Sequence, residues 1–452
     1  MSGEIRIRKG LDIRLQGSAE KVYMQMELSG KYMLSPLDFP MLVPRLLVKP
    51  GDAVQAGTPL FCDKKDPRVL FVSPVSGTVA DVVRGARRRI ERVEVDCPQE
   101  PMVYKDFGKQ LPATLDRNEL VTRMLEGGVW PFIRQRPYNV VANPDLVPRA
   151  IFISAFDSAP LAPDLDFSIK DGGEAFQVGL DVLAKLTGGK VYLTMSAKSV
   201  PNPIFSNARG VEKREIRGPH PAGTVGVQIN HIAPIAKGEV VWTVGALDVV
   251  IIGRLFTTGH YDARRVVALA GSMVRKPRYY LSMQGMPIEN FVKDQVAPEA
   301  DARYISGDVL TGTNEGRGGN LRFFDTLVTV IPEGNHSEFM GWASPGLNKF
   351  SASRLFPSFL RCGHQYVLDT NLNGGLRAYV VTGQYEKVFP MDIYPVRLVK
   401  AIMANDIEAM EDLGIYEVIP EDFALCEFVC TSKIEVQSVV REGLEFLYKE
   451  LN

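Results

Sequence analysis

The first hundred residues alternate short apolar runs with glycine and proline turns, the pattern of half-buried strands. RLLVKPGDAVQAGTPLF (45–61) turns at Pro50 and Gly51, where proline fixes φ and glycine supplies a positive one, and turns again at Gly57. FVSPVSGTVADV (71–82) repeats strand, Pro-x-x-Gly turn and strand. Beyond residue 104 the spacing changes. NELVTRMLEGGVWPFI opens with Asn118 as an N-cap and sets Leu120, Val121, Met124 and Leu125 on one helical face. A strand over 150–155, a helix over 173–186 closed by Gly188 and Gly189, and a strand over 190–195 make a βαβ unit. Residues 220–232, HPAGTVGVQINHI, read as a glycine-punctuated loop. Two β-branched runs, 240–244 and 248–253, read as buried strands that end the α/β region. A third strand over 265–270 is reached through Thr257, Thr258 and Gly259, a turn too tight for a crossover helix. The order then becomes strand, turn (275–278), strand (279–283), turn (285–287) and helix from 288. A strand over 325–331 and loop-rich stretches (332–356, 370–395) follow. Finally Val396, Leu398, Val399, Ile402 and Met403, and then Val436, Val439, Val440, Leu444 and Leu447, recur at three- and four-residue spacing.

These changes of period divide the 452 residues into an all-β unit (1–104), a Rossmann-like α/β unit (105–260 with about 322–385), a β-grasp unit (261–321) and a C-terminal helical bundle (386–452). Charge alters this picture only locally, because 52 Lys and Arg nearly balance 53 Asp and Glu and give no steering toward nucleic acid. RGARRRIER (84–92) holds five arginines and one acid, and residues 401–432 hold eight acids and no Lys or Arg; each is a solvated face or a docking patch. Five scattered cysteines argue against a disulfide framework and for a reducing compartment. MSGEIRIRKG lacks the apolar segment of a secretory signal, and no stretch approaches the roughly 20 apolar residues of a membrane span. The chain is therefore expected not to carry an ion across a bilayer by itself. His220, His231, His260, His336 and His364 show no metal-ligand spacing, and no nucleophile signature is present, so neither catalytic nor metal-binding residues are expected.

The turn repeat of 45–82 is similar to the barrel-sandwich hybrid of lipoyl and biotinyl carriers. In such carriers the modified lysine sits at a hairpin tip; here the tip falls near Asp66 and Pro67 rather than Lys64 or Lys65, so a structural barrel without a swinging arm is expected. The ββα unit is similar to the SLBB type of β-grasp. GRLFTTGHYDARRVVALAG (253–271) followed by RYISGDVLTGTNEG (303–316), with KGLDIRLQG (9–17) and LCEFVCTSKIE (425–435), closely resembles the NqrA family, one of the subunits of the Na(+)-translocating NADH:quinone reductase (Nqr) complex. The resemblance covers nearly the whole chain. The order of the four units also resembles the NADH-binding flavoprotein of respiratory complex I and the RnfC protein of the Rnf complex. In those relatives a glycine-rich loop brings backbone N–H groups to FMN and dinucleotide phosphates. Here EGGVWPFIRQRPY (126–138) keeps Gly127 and Gly128 but sets Trp130, Pro131 and Phe132 where small residues are needed. Their helical end also holds an iron–sulfur cluster on four thiolates, whereas Cys426 and Cys430, four apart on one side of a helix, supply half a site at most and read as structural.

The Nqr resemblance implies a peripheral subunit on the cytoplasmic face of the bacterial inner membrane, in a six-subunit complex that oxidises NADH, reduces ubiquinone and exports sodium. It places the flavins and iron–sulfur centres on the other five subunits and no cofactor on this chain. Attachment is expected through integral partner subunits rather than through lipid. Trp130, Phe132 and Tyr138 are the aromatics that would line a quinone's path, with core packing as the alternative. Two rival readings stand beside this one. An electron-transfer protein like RnfC would need the missing cysteines and an open glycine loop. A non-redox binding module, like the β-grasp of polysaccharide-export proteins or the barrel of carriers, would need a signal peptide or a hairpin-tip lysine.

Overall fold

The computed structural model describes residues 4–98, 101–335, 338–343, 345–361 and 363–451. His336 and Cys362 lie outside them. Seven strands form one mixed sheet in the order Ile5–Arg6, Glu212–Arg217, Lys190–Ser196, Ala150–Ser154, Val241–Gly245, Arg134–Arg136 and Val140–Val141. The first five run parallel, Arg134–Arg136 runs against them, and Val140–Val141 pairs antiparallel with Arg134–Arg136. AIFIS and KVYLTMS are near-continuous apolar runs because helices cover both faces of this sheet. The helix Gly173–Leu186 is the crossover predicted from its spacing, and it buries Phe176, Leu180 and Leu183.

The run 248–253, expected as a strand, lies inside the helix Ala246–Thr258. Every residue from Val249 to Ile252 is buried, so no polar face marks a helical period, and β-branched composition then mimics a strand. Burial outweighs the few tenths of a kcal/mol by which each Val or Ile disfavours a helix. The expectation of a tight turn at 257–259 in place of a helix is thus corrected, although the helix links two different sheets and is not a crossover within one. It ends at Gly259, whose φ of +81° makes a left-handed C-cap. The loop expected over 220–232 is also partly helical, from Val225 to Ile232. The first helix, Arg117–Glu126, starts one residue before the expected cap Asn118: Asp116 accepts from the Glu119 amide at 2.9 Å and Glu119 accepts from the Asp116 amide at 2.8 Å, a capping box.

The N-terminal barrel consists of a four-stranded sheet (Gly30–Leu34, Ile90–Cys97, Gly77–Arg84, Ala53–Val54) and a three-stranded one (Pro44–Leu46, Pro59–Asp63, Leu70–Val72). A six-stranded sheet carries the ββα unit in the order Thr313–Asn314, Ala302–Ser306, Leu327–Pro332, Arg264–Ala270, Arg278–Met283 and Glu20–Gln25. The strand Leu327–Pro332 thus sits inside the β-grasp sheet, whereas its sequence position was read as a return to the α/β unit. Before the barrel begins, the chain has already placed Ile5–Arg6 in the α/β sheet and Glu20–Gln25 in the β-grasp sheet. At the other end Pro395–Met403 and Val436–Leu451 pack as a helical pair, with Gly443 leaving room for Ile402.

Candidate functional site

In an open parallel sheet a crevice forms outside the carboxyl ends of the strands, where the strand order reverses. Here the chain steps from Ala150–Ser154 outward to Lys190–Ser196 and Glu212–Arg217, then returns to lay Val241–Gly245 on the opposite side. The reversal lies between Ser154 and Gly245. A cavity of about 160 Å³ opens there, lined by Arg134, Ser154, Asp157, Thr243, Asp248 and Glu421 among others. Arg134 and Thr243 are cross-strand partners and so face the same side of the sheet. Thr243 is buried, and its Oγ1 has no hydrogen-bond partner among the described residues. The Arg134 guanidinium lies 4.7 Å over the Phe324 ring, a cation–π contact. A wider cleft of about 400 Å³, lined in part by Asp12, Arg14, Ser158, Ser196 and Lys198, covers the ends of the neighbouring strands.

Two buried ion pairs flank the crevice. Arg136, two residues beyond Arg134 and on the same face, donates from Nη1 to Asp422 Oδ2 at 3.1 Å and to the Glu417 carbonyl at 3.2 Å. Asp422 Oδ2 also accepts from the Ile419 amide at 2.9 Å. Arg265 reaches Asp248 Oδ1 at 3.4 Å and the Phe323 carbonyl at 3.0 Å, joining the helix Ala246–Thr258 to the β-grasp sheet. Gly226 admits Asp422, since a Cβ there would stand 2.1 Å from Asp422 Oδ1. Burial pushes Asp248 up to about 6 against the opposing pull of Arg265, and pushes Glu421 up to about 7 against that of Arg134. The crevice is smaller than the roughly 300–1,000 Å³ typical of cofactor pockets. It suits water-sized polar molecules and groups that exchange protons near neutrality.

A pH effect follows. Glu421 holds its proton more tightly in the folded chain than in the unfolded one, so its stabilising contribution is full below the ordinary glutamate range and is lost as pH rises through about 7. The substitution Glu421→Gln keeps the neutral form. Its melting temperature is expected to gain on that of the unsubstituted chain between pH 5 and pH 8; a difference that stays flat with pH would refute the assignment.

The residues singled out from the sequence fall in separate places. Trp130 and Phe132 are fully buried in the main core. The Trp130 indole N–H donates to the Ala142 carbonyl at 2.7 Å, and its ring meets Trp242 edge-on at 5.5 Å. Phe132 packs on Phe323 at 4.8 Å. Tyr138 lies apart, its ring 5.2 Å from that of Tyr448 near the C-terminal helices. None of the three lines either cavity described above. The space over the paired glycines is filled by protein: a Cβ on Gly127 would stand 2.4 Å from Leu255 Cδ2, and one on Gly128 2.4 Å from Val72 Cγ1. Gly128 therefore serves close packing against the barrel, and Gly127 close packing against the helix Ala246–Thr258.

Asp66 and Pro67 do lie in the connection between Pro59–Asp63 and Leu70–Val72, where Arg68 ties the loop to Asp145 at 2.7 Å. Lys65 Nζ sits 4.7 Å over the Tyr448 ring. Cys426 and Cys430 are both buried, but Cys430 lies beyond the end of the helix Ala424–Phe428 and so does not share its face. Burial holds the Cys426 thiol well above its ordinary range. His220 is buried, with Nδ1 3.1 Å from Ser158 Oγ; His231 Nδ1 meets the Val227 carbonyl at 2.9 Å; His260 stacks on Tyr104, and His364 meets Tyr366 edge-on. Among the described residues no group of three or more His, Cys, Asp or Glu is arranged to hold a metal ion. The crevice residues escaped the sequence reading. Two signals were available: Arg134 and Arg136 alternate at strand period, and Asp248 is a lone acid in an apolar run.

Three family models match in succession: the NqrA N-terminal barrel-sandwich hybrid domain over residues 5–98, the NqrA second alpha/beta domain over 115–261 and the NQRA C-terminal domain over 266–315. The corresponding Na(+)-translocating NADH-quinone reductase protein of Rhodopirellula baltica is 37% identical over 450 residues, 98% of each chain. This chain belongs to the NqrA family. Its NqrA relative from Vibrio anguillarum is 38% identical over 448 residues, covering 99% of this chain and all of that one. The fold class of hybrid barrel, α/β domain and β-grasp unit is that of the family. An NAD+-reducing [NiFe]-hydrogenase structure is similar over 75% of this chain and 62% of its own at 12% identity and a TM-score of 0.40, too loose a likeness to carry an argument.

Proposed function

We propose that this NqrA chain is a peripheral, cofactor-free subunit of a sodium-translocating NADH:quinone reductase, docked on membrane-embedded partners at the cytoplasmic face of a bacterial inner membrane. The carrying observation is the end-to-end match to the NqrA proteins of that reductase. Among the described residues no helix is long and apolar enough to cross a membrane, so in this reading sodium passes through other chains. The filled space over Gly127 and Gly128 supports a chain without bound flavin or dinucleotide, with the NADH, flavin, iron–sulfur and ubiquinone chemistry on the other subunits. Any ubiquinone contact on this chain we place at Tyr138, because reaching Trp130 or Phe132 would require opening the core.

Affinity purification of the tagged chain from its native membranes tests the assembly. The expected result is recovery of integral reductase subunits together with NADH:quinone activity, while the chain purified alone is colourless. Failure to recover partners would remove the assembly reading. A flavin band, or stoichiometric iron in the anaerobically purified chain, would favour the Rnf-like rival.

A further inference from the structure

We propose that residues 338–343 and 345–361 form the element that docks this chain onto its partner, seating in an apolar groove with an acidic rim on a membrane-embedded protein. The inference rests on the assembly proposed above. Six apolar side chains of this stretch face solvent: Phe339 is 93% exposed, Leu360 70%, Leu347 and Leu355 60%, Met340 51% and Phe359 50%. The stretch is nevertheless built. Lys349 Nζ pairs with Glu338 and donates to the Gly341 carbonyl at 2.8 Å, and Arg361 Nη1 donates to Asn348 Oδ1 at 2.8 Å. The Lys349 amide bonds the Gly346 carbonyl at 3.1 Å, and the Ser358 hydroxyl donates to the Lys349 carbonyl. At the base the Phe350 ring meets Tyr366 at 5.2 Å and Phe428 at 5.8 Å, fixing the knob to the C-terminal helices.

A knob held together by its own polar contacts while its large apolar side chains point outward has the composition of an interface core. Charge selects the occupant. The stretch holds Lys349, Arg354 and Arg361 against one acid, Glu338, which Lys349 neutralises, so the two arginines leave it basic and a complementary surface is apolar at the centre and acidic at the rim. Backbone geometry favours protein over lipid. Among the described residues the regular structure of the knob is two short 3₁₀ turns, Gly341–Ala343 and Pro357–Leu360, not the longer amphipathic helix by which a peripheral chain lies in a bilayer interface.

The test uses the full-length chain expressed with the complete set of subunits. The triple substitution Leu355→Asp, Phe359→Asp, Leu360→Asp is expected to cut co-purification with the integral subunits at least about tenfold, with the melting temperature of the isolated chain unchanged because these side chains are exposed. The pair Arg354→Glu, Arg361→Glu is expected to weaken co-purification and to reverse its salt dependence. If the unsubstituted chain recovers its partners and the triple variant recovers them equally, the docking inference is overturned and the assembly reading stands. If the unsubstituted chain recovers none, that reading itself fails. Flotation of the isolated chain with phosphatidylglycerol vesicles, abolished by the triple substitution, would make lipid the occupant and overturn the proposal. A dimer of the isolated chain that the same substitution dissociates would overturn it in favour of a second copy.

Discussion

Asp422→Ala is expected to lower the stability of the folded chain by about 3–5 kcal/mol, the usual cost of stranding one member of a buried ion pair. The side chains of Arg136 and Asp422 are 1% and 0% exposed, so neither has solvent to fall back on. Arg136 Nε and Nη2 already lack hydrogen-bond partners among the described residues, and removing Asp422 would leave the guanidinium only the Glu417 carbonyl. The substitution would also free the Ile419 amide. Replacing both partners, Arg136→Met with Asp422→Leu, should cost far less and can be neutral, because no charge is then left buried. Denaturant unfolding separates the cases: the single variant should lose midpoint at constant slope, and the double variant should recover most of it. A single variant as stable as the unsubstituted chain would mean that water reaches Arg136 and that the pair does not lock the C-terminal helices to the sheet.

Gly253→Ala should be nearly as damaging, although alanine is the better helix former by about 1 kcal/mol. A Cβ at this position would stand 1.7 Å from the Ala175 carbonyl oxygen and 3.0 Å from the Gly179 amide. The helices Gly173–Leu186 and Ala246–Thr258 therefore touch main chain to main chain, with Gly179 against the Val249 carbonyl from the other side. A clash with backbone cannot be relieved by a rotamer change, so a loss of about 3 kcal/mol, the upper end of ordinary overpacking, is expected. Gly443→Ala makes the comparison, since its neighbours are side-chain atoms of Ile402 and not main chain. Thermal melts of both variants decide the matter. A melting temperature for Gly253→Ala at or above the original would show that the helices can separate without cost.

The sequence disclosed what depends on neighbours in the chain. The crossover helix Gly173–Leu186 and the strand Lys190–Ser196 were legible because one buries a stripe and the other a run. The barrel turns were legible because proline and glycine impose them. The helix Ala246–Thr258 was misread because burial on all sides erases the periodicity on which such a reading depends. The strand Leu327–Pro332 was detected but assigned to the wrong sheet, since a strand's own residues do not name its neighbours. The crevice was the least legible part. Arg136 and Asp422 are far apart in the chain, and a carboxylate on an acidic stretch looks like a solvated one until the fold brings an arginine beneath it.

The early strands Ile5–Arg6 and Glu20–Gln25 also set a timetable for synthesis. Each pairs with a strand translated more than 200 residues later, Glu212–Arg217 and Arg278–Met283 respectively. At about 5–20 residues per second on the ribosome, these two strands wait roughly 10–50 s with their edges uncovered. Residues 30–97, whose strands pair among themselves, can form the barrel during that interval. These early strands are thus among the last to find their place, and a nascent chain stalled before residue 212 would present their edges to chaperones or to other nascent chains.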